Sequence, residues 1–101
     1  MKMIYCTCNV SVSEAFVKML EENEVKDYQI IDLVKAKSVK GEPRLNNPVW
    51  PGHNTSIWMQ FSNDKKAGEI MKLIREFNSR AFNENELVTA CMWSLDDYLY
   101  D

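Results

Sequence analysis

The stretch VKGEPRLNNPVWPGHNT, residues 39–55, carries all three prolines of the chain, two of its three glycines and its only histidine. A linker between domains would have this composition, but roughly 40 residues on either side are too few for two ordinary cores. The stretch therefore reads as a long loop inside one domain spanning residues 1–101, and its flanks decide the fold.

Before the loop, MIYCTCNV (residues 3–10) is rich in β-favouring and small apolar residues and reads as a strand that puts Cys6 and Cys8 on one face. SVSEAFVKMLEENEV follows, with Ser11 and Glu14 at the spacing of a capping box and with Ala15, Phe16, Met19 and Leu20 at helical spacing. This predicts a helix over residues 12–23. DYQIIDLVKAKS (27–38) reads as a second strand whose Ile30, Ile31, Leu33 and Val34 place apolar groups on both faces, so something must cover both.

After the loop, TSIWMQFS (55–62) alternates Ile57, Met59 and Phe61 against Ser56, Trp58 and Gln60, as a strand with two distinct faces does. NDKKAGEIMKLIREFNSR (63–80) is the clearest helix: Asn63 or Asp64 can cap it, and Ala67, Ile70, Met71, Ile74 and Phe77 form one stripe. ELVTACMWSL (86–95) closes the pattern as a fourth strand, followed by the acidic, aromatic tail DDYLYD.

The order is βαβ, long loop, βαβ. That is the α+β, ferredoxin-like sandwich: a four-stranded antiparallel sheet with two helices on one face. Right-handed crossovers put the first and third strands in the centre. The opposite face has no helix to cover it, yet it carries some combination of Tyr5, Trp58, Ile31 and Leu33, with Trp93 a further candidate. An apolar area of that size predicts closure by another subunit, as a dimer or a trimer.

Composition narrows the function classes. With 46% apolar and 27% charged residues and no apolar run near the ~20 residues a membrane span needs, the chain reads as globular and soluble. No signal-peptide pattern opens it, and three cysteines are an odd set, so a cytoplasmic location is expected. A net charge of −3 argues against a nucleic-acid partner. No Ser/His/Asp set, phosphate-binding glycine loop or H-E-x-x-H helix is present, which argues against an enzyme.

A ferredoxin-like chain of this length with a long loop between its second and third strands resembles the PII signal-transduction proteins and their PII-like relatives. MKMIYCTCNV matches the family's first strand, IIDLVKAKSVKG its second strand running into the T-loop, and residues 39–54 the T-loop itself. GEPRLNNPVWPGHN is most similar to the divergent PII-like branch, some of whose members are encoded beside metal-efflux pumps. The resemblance implies a homotrimeric regulator that binds a small molecule or ion at its subunit clefts and touches a partner protein through its loops, a membrane transporter being one candidate. Nucleotide-binding PII proteins use a Gly-Asp-Gly-Lys loop before the last strand and basic residues near the C-terminus. Here those places read SRAFNENE and DDYLYD, which argues against ordinary ATP binding and leaves the cofactor open, a divalent metal included.

Lys37, Lys40, Gly41 and Arg44 are the candidate ligand-binding residues, as a basic, flexible approach to the cleft. Lys35, Lys37 and Lys40 also suit a solvated edge that discourages strand pairing. Glu42, Arg44, Trp50 and His53 are the candidate partner-binding residues, presented away from the core by a proline-stiffened loop, because aromatic and guanidinium groups dominate interface energetics. Trp50 can equally fold back as the loop's own anchor. Cys6, Cys8 and Cys91 lie on neighbouring strands and could hold a soft metal, but C-x-C on a strand is poor for joint ligation, and space-filling thiols are the plainer account. No metal site is therefore assigned. Two rivals follow from the same fold: a CutA-like trimer binding divalent metal, and a small ferredoxin-like monooxygenase with a cavity lined by His, Trp and Asn.

Overall fold

Asn9 both ends the first strand and starts the first helix. In the computed structural model, which describes residues 1–39 and 41–99, strand β1 is Lys2–Asn9 and helix α1 is Val10–Glu22. The Asn9 side-chain oxygen accepts a hydrogen bond from the Ser11 amide at 3.1 Å, so Asn9 takes the capping position that the sequence pattern assigned to Ser11. The helix thereby starts two residues before the expected Val12, and Val10 belongs to it rather than to the strand. Phe16 and Leu20 are buried, while Ala15, expected on the same stripe, is exposed.

Strand β2 is Tyr28–Val34, β3 is Asn54–Phe61, helix α2 is Asp64–Ser79 and β4 is Thr89–Ser94. The Asn63 side chain caps α2 by accepting from the amides of Lys65 and Lys66. Two strands are shorter than their sequence patterns. A register shift between Ile31 and Val34 breaks the β2–β3 ladder, and β2 ends there. Before β4, residues Glu84–Glu86 form a 3-10 turn. The Asn78 amide then brackets Val88, donating to its carbonyl and accepting from its N–H, both at 2.8 Å.

The four strands form one antiparallel sheet in the order β2-β3-β1-β4, with β1 and β3 central as the crossover rule requires. Helices α1 and α2 cover one face. Beneath them lie Ile4, Cys6 and Cys8 of β1 and Ile57, Met59 and Phe61 of β3, packed against Phe16, Leu20, Ala67, Ile70 and Ile74. Phe16 meets Phe77 edge-on at 5.4 Å, joining the two helices. Both βαβ halves thus contribute to one core. Among the described residues no helix is long and apolar enough to cross a membrane.

The opposite face carries a run of aromatic rings across three strands. Tyr5 and Trp58 meet with their rings tilted at 56° and their centroids 4.7 Å apart, and Trp58 meets Trp93 edge-on at 6.2 Å. The Tyr5 hydroxyl and the Ser56 hydroxyl are hydrogen-bonded at 3.0 Å. Trp93 is on this face because it pairs with Met3 in the β1–β4 register. Ile31 belongs here too, pairing with Ser56, whereas the register shift takes Leu33 out of the regular alternation.

Candidate ligand cleft and loop

The loop between β2 and β3 leaves the sheet but does not stray far from it. Ala36 and Arg44 face each other across its base, exchanging two backbone hydrogen bonds of 2.8 Å. Its tip is tied internally. The Asn47 side chain accepts from the amides of Val49 and Trp50, at 3.1 and 2.7 Å, and backbone bonds join Leu45 to Trp50, Asn47 to Trp50 and Asn46 to Gly52.

Arg44 is the pivot of the base. Its Nη1 donates to Asn54 Oδ1 at 2.8 Å, and its Nη2 donates to the Asn85 carbonyl at 3.2 Å. Asn54 in turn donates to the Thr7 hydroxyl at 3.0 Å. Arg44 thus ties loop, β3, β1 and the 3-10 turn together, and its guanidinium is directed inward instead of being held away from the core. Among the described residues no carboxylate forms an ion pair with it. Glu42 is exposed, but its amide donates to Asn85 Oδ1 at 3.2 Å. Gly41 packs against the same atom: with φ at +79°, an added Cβ would sit 2.6 Å from Asn85 Oδ1.

These elements enclose a cleft of about 480 Å³ lined in part by Thr7, Lys37, Glu42, Arg44, Asn54 and Thr89. Of the candidate ligand residues, Lys37 and Arg44 line this cleft; Gly41 packs against Asn85, which lines the neighbouring hollow instead, and Lys40 lies outside the described residues. The partner candidates are spread apart. Glu42 faces the cleft, and Trp50 is about one-third exposed over a neighbouring hollow shared with Pro43 and Pro51. Half-buried His53 lines a different depression with Glu14, Lys18 and Asp32. Its carbonyl accepts from the Val10 amide at 3.0 Å, which fixes the end of the loop to the start of α1.

Strand register separates the three cysteines. Cys6 and Cys8 are buried beneath the helices, whereas Cys91 pairs with Tyr5 and so occupies the open face, exposed. Burial pushes the Cys6 thiol up to about 12, helped by Cys8 and Cys91. It pushes Cys8 up to about 11 against the opposing charge of Arg44. Neither is a thiolate at neutral pH. The two buried thiols fill space in the core, and the described residues contain no group of three or more His, Cys, Asp or Glu side chains placed to hold a metal.

Thr7, Asn54 and Asn85 emerge only from the fold. Asn54 stands beside the polar Thr55 and Ser56, and Asn85 sits in the polar run FNENE, with nothing in the sequence to set either apart.

No protein-family model and no curated protein matches this chain. Solved structures do match its fold. CPII from Thiomonas intermedia K12, in a structure bound to ADP and bicarbonate, aligns with a TM-score of 0.66 at 14% identity over 95% of this chain and 88% of that one. A PII-like signaling protein from Thermus thermophilus aligns at 0.62 and 15% identity, over 91% and 83%. The apo form of CPII aligns at 0.60 and 13% identity, over 91% and 87%. The chain therefore has the fold of PII-like proteins, over nearly its whole length.

Proposed function

We propose that this chain is a PII-like regulatory protein that assembles as a homotrimer through its open sheet face. In this reading its cleft at the loop base takes a small molecule or ion, and its loop engages a partner protein, a membrane transporter being the class suggested by the resemblance. The observation that supports it best is the position of the cleft. Loop base, β1, β3 and the 3-10 turn converge there on groups able to bind polar atoms, and Thr7 and Asn54 belong to the same sheet face as the aromatic run. A neighbouring subunit covering that face would border the cleft.

Ligand class is the part least transferable from the similar structures. Where a phosphate-binding loop would stand, this chain has a 3-10 turn made of Glu84, Asn85 and Glu86, and the turn's own N-terminus is satisfied by Asn83. Glu84 of this turn and Glu42 of the loop both line the cleft, and two carboxylates there disfavour a triphosphate. Regulation would follow if a ligand favours one loop state over another.

Native mass spectrometry tests the assembly and the ligand at once. The expected species is near 35 kDa, three times the 11.8 kDa chain, with a mass increment when ADP, bicarbonate or a divalent metal is added and retained. A monomer across the micromolar range removes the trimer. Replacing residues 45–51 by a Gly-Ser bridge, which keeps Arg44 and its bonds, should leave assembly intact and abolish partner binding. Dissociation on that change would make the loop structural.

A further inference from the structure

The loop has two mechanically different parts. Its tip, residues 45–52, is held by its own hydrogen bonds: the Asn47 side chain and the backbone pairs joining Leu45, Asn46 and Asn47 to Trp50 and Gly52. Its base, residues 41–44, is held almost wholly by partners from elsewhere in the chain. Asn85 Oδ1 receives the Glu42 amide at 3.2 Å and Arg44 Nη2 at 3.5 Å, while the Asn85 carbonyl receives Arg44 Nη2 at 3.2 Å.

We infer that residues 41–44 form a strap closed over the cleft and latched by Asn85 together with Asn54, which accepts from Arg44 Nη1 at 2.8 Å, and that opening the latch swings the tip away as a preformed unit. Three features fit such a device. The latch consists of a few hydrogen bonds, and Gly41 and Glu42 are exposed and lie outside the apolar core, so it can open without disturbing that core. The bonds from Arg44 go to neutral amide oxygens, which are weaker partners for a guanidinium than any anionic group entering the cleft. Finally, Gly41 lets the backbone approach Asn85 Oδ1 at a positive φ that a side chain would obstruct. Glu42 and Arg44 are also walls of the cleft, so lifting the strap removes one side of it. The device is built from this chain's own bonds and holds whether or not the regulatory reading does.

Residue-resolved hydrogen exchange by NMR on the ligand-free protein tests it, comparing wild type with Asn85→Ala. The informative amides are those of Ala36 and Arg44, which bond to each other and not to Asn85. They should exchange roughly 10- to 100-fold faster in the variant, as expected for loss of hydrogen bonds to a charged group. The amides of Asn46, Asn47 and Trp50 should keep their wild-type protection. Unchanged exchange at Ala36 and Arg44 overturns the latch, and equal acceleration through residues 46–50 overturns the preformed tip. If core amides at Ile70 and Ile74 also accelerate, Asn85→Ala has destabilised the whole fold. Arg44→Lys, which keeps the charge but loses the two-pronged donor, then decides by the same criteria.

Discussion

Replacing Trp58 by lysine separates the sheet face as an interface from the sheet face as a surface. Within one subunit Trp58 packs against Tyr5 at 4.7 Å and meets Trp93 at 6.2 Å. Losing two aromatic pairs at about 0.5–1.5 kcal/mol each destabilises the subunit by about 1–3 kcal/mol. That leaves it folded, since the core lies on the other side of the sheet. Between subunits the effect is larger. Ile31 is 49% exposed and Trp93 41% exposed, so covering the remaining half of each contributes about 1 kcal/mol per side chain. An ammonium placed among them must also be desolvated at a cost of several kcal/mol. Association should weaken by more than about 2 kcal/mol per interface, or roughly 30-fold. Sedimentation equilibrium reads the mass and circular dichroism reads the melt. The expected result is a folded monomer with a modestly lowered melting temperature. An unchanged oligomer mass would refute the assignment of this face to assembly.

Three other outcomes follow from the same structure. In the Trp58→Lys subunit at pH 8, Ellman's reagent should titrate only Cys91 rapidly, with Cys6 and Cys8 reacting after denaturation; rapid reaction of either would contradict their burial and raised pKa. The N-terminal ammonium bonded to Asp64 at 2.7 Å holds that carboxyl below its ordinary 3.8. A lowered folded pKa means the stabilisation is present above 3.8 and is lost as the pH falls through the lower folded value. Wild type and Asp64→Asn should therefore differ in urea midpoint at pH 6 and converge in strong acid, and a gap that widens in acid would reverse the sign. Phe16→Ala, at a fully buried site against Phe77, should cost about 3–5 kcal/mol in urea unfolding. A cost below about 1 kcal/mol would mean that α1 is not packed as described.

Much of the architecture was present in local periodicity. The alternation of Ile57, Met59 and Phe61 against Ser56, Trp58 and Gln60 assigns both faces of β3 without any tertiary information, because side chains on a strand repeat every two residues. The stripe Ala67, Ile70 and Ile74 does the same for α2, and crowding of proline and glycine marks the loop. Element ends were less legible. Asn9 outcompetes Ser11 as the cap because its carboxamide oxygen reaches the Ser11 amide, a matter of local geometry on which both residue types compete.

The loop's role as a strap and the fate of the cysteines could only come from the assembled fold. Arg44 bonds to Asn85 across 41 positions and to Asn54 across 10; no local period relates them. Cys91 is divided from Cys6 and Cys8 by the β1–β4 register, since a shift of one residue would have turned it toward the helices. Strands, helices and the place of the long loop are legible along the chain because they follow from interactions within a few residues. Which polar groups meet is legible only in three dimensions, because a hydrogen bond needs its two atoms within about 3 Å and only the assembled sheet brings distant residues that close.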